Sequence, residues 1–160
     1  MTSQVLITQE DSDTTQLAWV RFLRAHAALT RELGARLEAE HGLTMSDFDV
    51  LIQLFHAPEH AMRRIDIARQ VLLTPSGITR LLDGLERCGL VAKKSCESDA
   101  RVSYAVLTEE GLRKITVARE SHSADVEALF GAALNAKERD HLAELLSRLP
   151  LAPTATQCSE

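Results

Sequence analysis

Aromatic side chains make up only 4% of the 160 residues: one tryptophan, one tyrosine and four phenylalanines. With leucine and alanine dominant, that scarcity favours a mainly helical protein. No uninterrupted apolar run approaches the roughly 20 residues needed to span a membrane. The first residues, MTSQVLITQEDSDTT, lack the basic region and apolar block of a secretory signal. Both absences lead to the expectation of a cytoplasmic protein. Cys88, Cys96 and Cys158 are an odd number without C-x-x-C spacing, which argues against a disulfide framework or a zinc ribbon. Pro58 separates His56 from His60, so no paired histidines share a continuous helix and no metal is expected. G-x-S-x-G, P-loop and G-x-G-x-x-G motifs are missing too. Enzyme chemistry therefore has no support, and no cofactor is expected.

What is present begins with an uneven charge. The chain carries a net charge of −5, yet residues 61–104 hold eight Lys/Arg against five acids, a local excess of +3 that leaves −8 elsewhere. A basic patch on an acidic body steers a polyanion to one face.

Within that patch, LLTPSGITRLLDGLERCGLV has helical apolar spacing at Ile78, Leu81, Leu82 and Leu85, opposite a polar stripe of Ser76, Thr79, Arg80, Asp83 and Arg87. Thr74 suits the N-cap, Pro75 the first helical position, and Gly89 the C-terminal stop. Gly77 fits no cap, although glycine there costs about 0.5–1 kcal/mol relative to alanine. One reason for it is close approach of a ligand to that backbone, and the other is a crowded helix contact.

The rest of the chain divides by pattern into five expected regions. Residues 1–14 are polar, acidic and aperiodic and read as a disordered tail. Residues 15–45 hold a long helix from about Gln16 to Glu40, with Trp19, Phe22, Leu29 and Leu33 on one stripe and Val20, Leu23 and Ala27 beside it. That apolar surface is too wide for a helix lying on a monomer, and it points to a homodimer. Residues 46–108 contain a helix capped by Ser46 with Phe48, Leu51, Ile52 and Phe55 buried, a short helix from Arg64 to about Val71, the Pro75 helix, and strands near Val91–Cys96 and Val102–Leu107 around a polar tip. Residues 109–150 form a helix from Glu109, capped by Thr108, to about Leu134, then a helix from Ala136 to Leu149 with Leu142, Leu145, Leu146 and Leu149 inward. Residues 151–160 read as a flexible tail.

Two short helices joined by a tight turn and followed by a hairpin are the order of a winged helix-turn-helix, whose second helix enters the major groove of double-stranded DNA. The segments GLTMSDFDVLIQL and IDIARQVLLTPSGITRLLDGLERCGLVAKK, followed by Asp99, Arg101, Leu107, Thr108 and Gly111 at the D-x-R and LT-x-x-G spacing, resemble the MarR family of winged-helix regulators. The resemblance covers roughly Trp19 to Leu149. It implies a mainly α fold with a β-hairpin wing and long terminal dimerisation helices. It also implies a ligand-responsive regulator, here a repressor binding a pseudo-palindromic operator.

For DNA contact the candidates are Arg63, Thr74, Ser76, Gly77, Thr79, Arg80, Lys93, Lys94, Asp99 and Arg101. Arg80 can read guanine bidentately or meet phosphate alone. The resemblance places Arg101 in the minor groove, with Asp99 steadying its guanidinium. A solvated face and an exposed salt bridge are the plainer readings of these residues. For a small aromatic acid or phenolic effector the candidates are Trp19, Phe22, His26, Asp49 and Arg80. Core packing for His26, and a capping-box role for Asp49 with Ser46, are the plainer readings there. A urate-responsive branch of the family has an aspartate and an arginine aligning with Asp49 and Arg80, but Trp19 does not match that branch's tryptophan. Two alternatives remain: a thiol-based sensor using Cys96 or Cys88, the latter expected to be buried, and a winged-helix module that binds protein and not DNA.

Overall fold

A computed structural model describes residues 9–71, 75–95 and 103–149. Helix α1 (Gln9–His41) leads to α2 (Met45–His56), then a 3-10 turn (Pro58–His60), strand β1 (Ala61–Arg63), α3 (Arg64–Gln70) and α4 (Pro75–Arg87). The hairpin strands β2 (Val91–Ser95) and β3 (Ser103–Leu107) follow, then α5 (Glu109–Leu129), a 3-10 turn (Gly131–Ala133) and α6 (Ala136–Ser147). The class is the expected one, mainly helical with a small antiparallel sheet.

Helix α1 starts at Gln9, so the acidic stretch from there to residue 14 is helical and not part of a tail. Helix α2 also starts earlier than its pattern indicated. Thr44 is its N-cap, accepting from the Asp47 N–H at 3.1 Å, while the Asp47 carboxylate accepts from the Thr44 N–H at 3.0 Å. The capping box is therefore Thr44 with Asp47, and Ser46 and Asp49 lie inside the helix. Leu43, buried just ahead of the cap, and Gly42, with φ +62°, set this start. Val50 and Leu54 lie in the core beside Phe48 and Leu51, and Ile52 and Phe55, expected to be buried, lie at its margin, because α2 packs on elements around more of its circumference than one stripe.

The sheet gains a strand that the sequence reading did not contain. Strand β1 pairs with β3 (Met62 opposite Ala105), giving the order β1-β3-β2. Its three residues are too few for an alternating pattern, and Arg63 is in this strand, where it precedes α3 as N-cap.

Helix α2 is the hub, packing on α1, α3, α4, α5 and β3. The core runs from Leu37 of α1 through Leu51 and Leu54 to Ile67, Leu82, Leu85 and Ile115. Complete burial of one such leucine or isoleucine contributes about 1.5–3 kcal/mol. Gly111 holds α5 against this core, because a Cβ there would stand 2.0 Å from the Leu90 carbonyl oxygen. Helix α6 has no buried residue, and Leu145 and Leu149 are exposed. The α6 leucine stripe thus does not face this chain's core, contrary to the inward placement expected of it.

Candidate nucleic-acid interface

Helix α4 separates its faces as its sequence dictates. Ile78, Leu82 and Leu85 are buried and Leu81 packs at their edge, while Thr79, Arg80, Asp83 and Arg87 are exposed. Pro75 is its first residue, and Gly77 lies in its first turn. Thr74 falls outside the described residues, and of Ser76 only the helical backbone is described. At the other end Gly89 takes φ +72°, a left-handed conformation glycine adopts without steric cost. The Leu90 N–H donates to the Leu85 carbonyl and the Gly89 N–H to the Glu86 carbonyl, both at 2.9 Å, which closes the helix with a Schellman motif. The chain then enters β2 directly. Cys88, expected to be buried, is exposed because the tightening of this last turn leaves it on the outer side.

The sheet register sorts the wing residues. Residues directly opposite one another share a face. Val91, Lys93, Ala105 and Leu107 lie on the face that meets the core, where Val91, Ala105 and Leu107 are buried. Lys94 opposes Tyr104, and Tyr104 opposes Arg63, so Arg63, Tyr104 and Lys94 form one row across the other face. Arg63 and Lys94 are exposed. Lys93 instead lines a cleft beside Asp83 and Glu86 of α4, so the two adjacent lysines, alike in sequence, have different surroundings. Arg63 and Arg69 each lie within 4 Å of Asp66, at 3.8 and 3.7 Å, as exposed pairs worth about 0–1 kcal/mol. Asp99 and Arg101, with Cys96, lie outside the described residues.

The five effector candidates are not gathered into one site within the chain. Trp19, Phe22 and His26 stack along α1 with ring centroids 6.2 and 6.4 Å apart, and all three are exposed. His26 is thus neither a core residue nor part of an enclosed pocket in the single chain. Asp49 interacts instead with His122 of α5.

That histidine belongs to a polar seam absent from the sequence reading. Its ring packs on Phe48 with centroids 4.5 Å apart, and its Nδ1 is buried without a hydrogen-bond partner among the described residues. Burial pushes the His122 pKa down, against the pull of Asp125 and Asp49. Loss of surrounding water pushes the Asp49 carboxyl up, opposed by His122, a modest effect because Asp49 is itself exposed. Nearby, Arg36 of α1 donates to Asp125 at 2.7 Å, and His41 Nε2 lies 2.5 Å from Ser121 Oγ. The spacing Gly111, Ile115, Ala118, His122, Asp125 along α5 is itself a 3.6-residue stripe and carries the signal for this seam.

Among the described residues no helix is long and apolar enough to cross a membrane, and no group of three or more His, Cys, Asp or Glu is placed to hold a metal ion.

A recognition helix closed by a glycine cap, a preceding short helix and a three-stranded sheet carrying a hairpin define a winged-helix DNA-binding protein. Comparison with known proteins specifies the family. The MarR family model matches residues 43–103. The chain is 33% identical to AbsC, a MarR family transcriptional regulator from Streptomyces coelicolor, covering 84% of this chain and 90% of that one with a TM-score of 0.78. It superposes on Sco3205, a MarR family regulator from the same organism solved in complex with DNA, with a TM-score of 0.80, 24% identity and coverage of 92% and 89%. BpsR of Bordetella bronchiseptica, whose DNA binding is regulated by 6-hydroxynicotinic acid, matches with a TM-score of 0.72, 20% identity and coverage of 83% and 97%. The chain belongs to the MarR family of DNA-binding transcriptional regulators, which are not enzymes.

Proposed function

We propose that the protein is a cytoplasmic, homodimeric repressor that binds a pseudo-palindromic operator and is released by a small aromatic acid or phenol. The observation that carries the DNA part is the exposed α4 stripe of Thr79 and Arg80, together with exposed Arg63 and Lys94 of the sheet, on an otherwise acidic chain. Thr79, Arg80 and Ser76 read base edges, with Gly77 permitting close approach. Arg63, Thr74, Lys93 and Lys94 hold the backbone, and Arg101, steadied by Asp99, enters the minor groove. The local charge excess of +3 in residues 61–104, against −8 over the rest of the chain, also favours DNA over a protein partner.

The dimer is supported by exposed apolar side chains at the terminal helices: Leu17, Trp19, Val20, Phe22 and Leu23 on α1, Leu145 on α6 and Leu149 just beyond its end. Such surface calls for a partner, and a second copy offers the same stripes. The effector reading is supported by the stacked Trp19, Phe22 and His26, which supply an apolar wall with one titratable ring, and by Asp49 at the α2–α5 seam. Regulation of BpsR by an aromatic acid agrees with it.

The test is footprinting of the purified protein on DNA flanking its own gene, with and without aromatic acids. Two protected half-sites about one helical turn apart, lost on adding an effector, are expected. No protection at low salt would sink the DNA reading, and protection indifferent to every aromatic acid and phenol tried would sink the effector reading.

A further inference from the structure

Arg63 and Arg64 are adjacent in sequence, but their side chains go to different places. Arg63 is on the open face of the sheet, more than half exposed. Arg64, the first residue of α3, turns into the cleft between α4 and the hairpin, where its Nη2 is buried with no hydrogen bond among the described residues. The acid facing it is Asp83 of α4, whose Oδ1 lies 3.6 Å away, an ion pair slightly too long for a hydrogen bond. Leu82 and Glu86 of α4, Lys93 of β2 and Tyr104 of β3 line the same cleft. Arg64 therefore shares one cleft with α4 and both strands of the hairpin, the parts that must hold a common orientation if helix and wing are to engage DNA together.

Asp83 gives this contact its consequence. It stands three residues after Arg80 on the same exposed stripe of α4, one helical turn along. A pull on Asp83 fixes the rotation of that stripe about the helix axis. Pairing also offsets an acid that would otherwise repel phosphate from the reading face. A charged donor buried without a partner is costly, so Arg64 favours the helix orientation that brings Asp83 closer.

We propose that Arg64 is a positioning residue for operator recognition, acting through Asp83 on the recognition helix and not through the DNA backbone. The proposal rests on the DNA-binding reading of α4. Its test uses a duplex that the wild-type protein selects from a randomised pool, and a scrambled duplex of the same composition. Arg64→Met should lower affinity for the selected duplex at least tenfold, change affinity for the scrambled duplex little, and leave the salt dependence of binding unaltered. Asp83→Asn should reproduce that loss although it removes negative charge from the DNA face, and the double variant should be no weaker than the weaker single one. Arg64→Lys should recover part of the loss.

Parallel losses on both duplexes, with the slope of log K against log salt reduced by about 0.9, would make Arg64 a phosphate contact and overturn the proposal. Unchanged affinity, additive losses in the double variant, or tighter binding by Asp83→Asn would overturn it as well. If Arg64→Met does not fold, the exposed Asp83→Asn decides alone, with loss on the selected duplex supporting the proposal. A wild-type protein that selects no duplex overturns the DNA reading itself and this proposal with it.

Discussion

The Thr108 hydroxyl donates a 2.6 Å hydrogen bond to the carbonyl of Gly89, joining the residue that ends the wing to the residue that ends the recognition helix. The same oxygen accepts from the Gly111 N–H at 3.0 Å as the N-cap of α5, and the Thr108 N–H donates to the Leu90 carbonyl at 3.1 Å. One side chain thus fastens α4, the hairpin and α5 together, so the LT-x-x-G spacing is explained by architecture and not by contact with DNA.

Thr108→Val keeps the shape and removes both hydroxyl bonds. It should destabilise the protein by about 1–2 kcal/mol in urea unfolding and weaken DNA binding through the loosened wing, with Thr108→Ser close to wild type. An unchanged urea midpoint for the valine variant would remove the fastening role.

Lys94→Ala and Arg101→Ala should each lower DNA affinity, reduce the salt slope by about 0.9 and leave the melting temperature nearly unchanged. Lys94 is exposed on the outer row of the sheet. Titrations at several salt concentrations decide the matter, and a full wild-type slope in either variant excludes that residue from the ionic contacts with DNA.

His122 should make stability depend on pH in a defined sense. Burial depresses its folded-state pKa below the ordinary value of about 6.5, so the folded protein binds fewer protons here than the unfolded chain. Its neutral form is favoured by folding, and the associated stability is full above the unfolded pKa and declines as pH falls from about 7 towards 5. Asp49 has a raised pKa and works in the opposite direction at lower pH, in the carboxylate range. Urea unfolding at pH 8 and pH 5 should therefore show a decline in the parent that is smaller in His122→Gln. Equal declines would exclude His122 as the source of the pH dependence.

Phe22→Asp puts a charge in the exposed aromatic stripe of α1, where it disturbs little of this chain's own core. It should give a monomer by light scattering at micromolar concentration, with helical content retained and DNA affinity strongly reduced. A variant that remains dimeric would move the interface off this stripe.

Aromatic acids or phenols should quench Trp19, the one tryptophan, and weaken DNA binding by a coupling of about 1–3 kcal/mol. His26→Ala should lower effector affinity more than DNA affinity. If the mutant responds to effector like the parent, His26 lies outside the site, which must then be sought nearer Asp49 and His122.

Much of the fold was legible in local sequence because the causes are local. Pro75 starts α4 and Gly89 ends it for reasons contained in those residues, and the Ile78, Leu82, Leu85 spacing defines the buried face wherever the helix is placed. Chain neighbours did not decide the rest. Thr44 with Asp47 and Ser46 with Asp49 satisfy the same capping spacing, and the burial of Leu43 selects the first pair. Strand β1 exists because β3, distant in sequence, supplies its hydrogen bonds. The divergence of Arg63 from Arg64, and of Lys93 from Lys94, comes from which side of a sheet or cleft each backbone position faces. His122 acquires its character from Phe48 and from the water excluded when α2 packs on α5. Periodicity identifies the face of an element that is buried, but what that face meets depends on contacts between segments far apart in the chain, which form only when the whole chain packs.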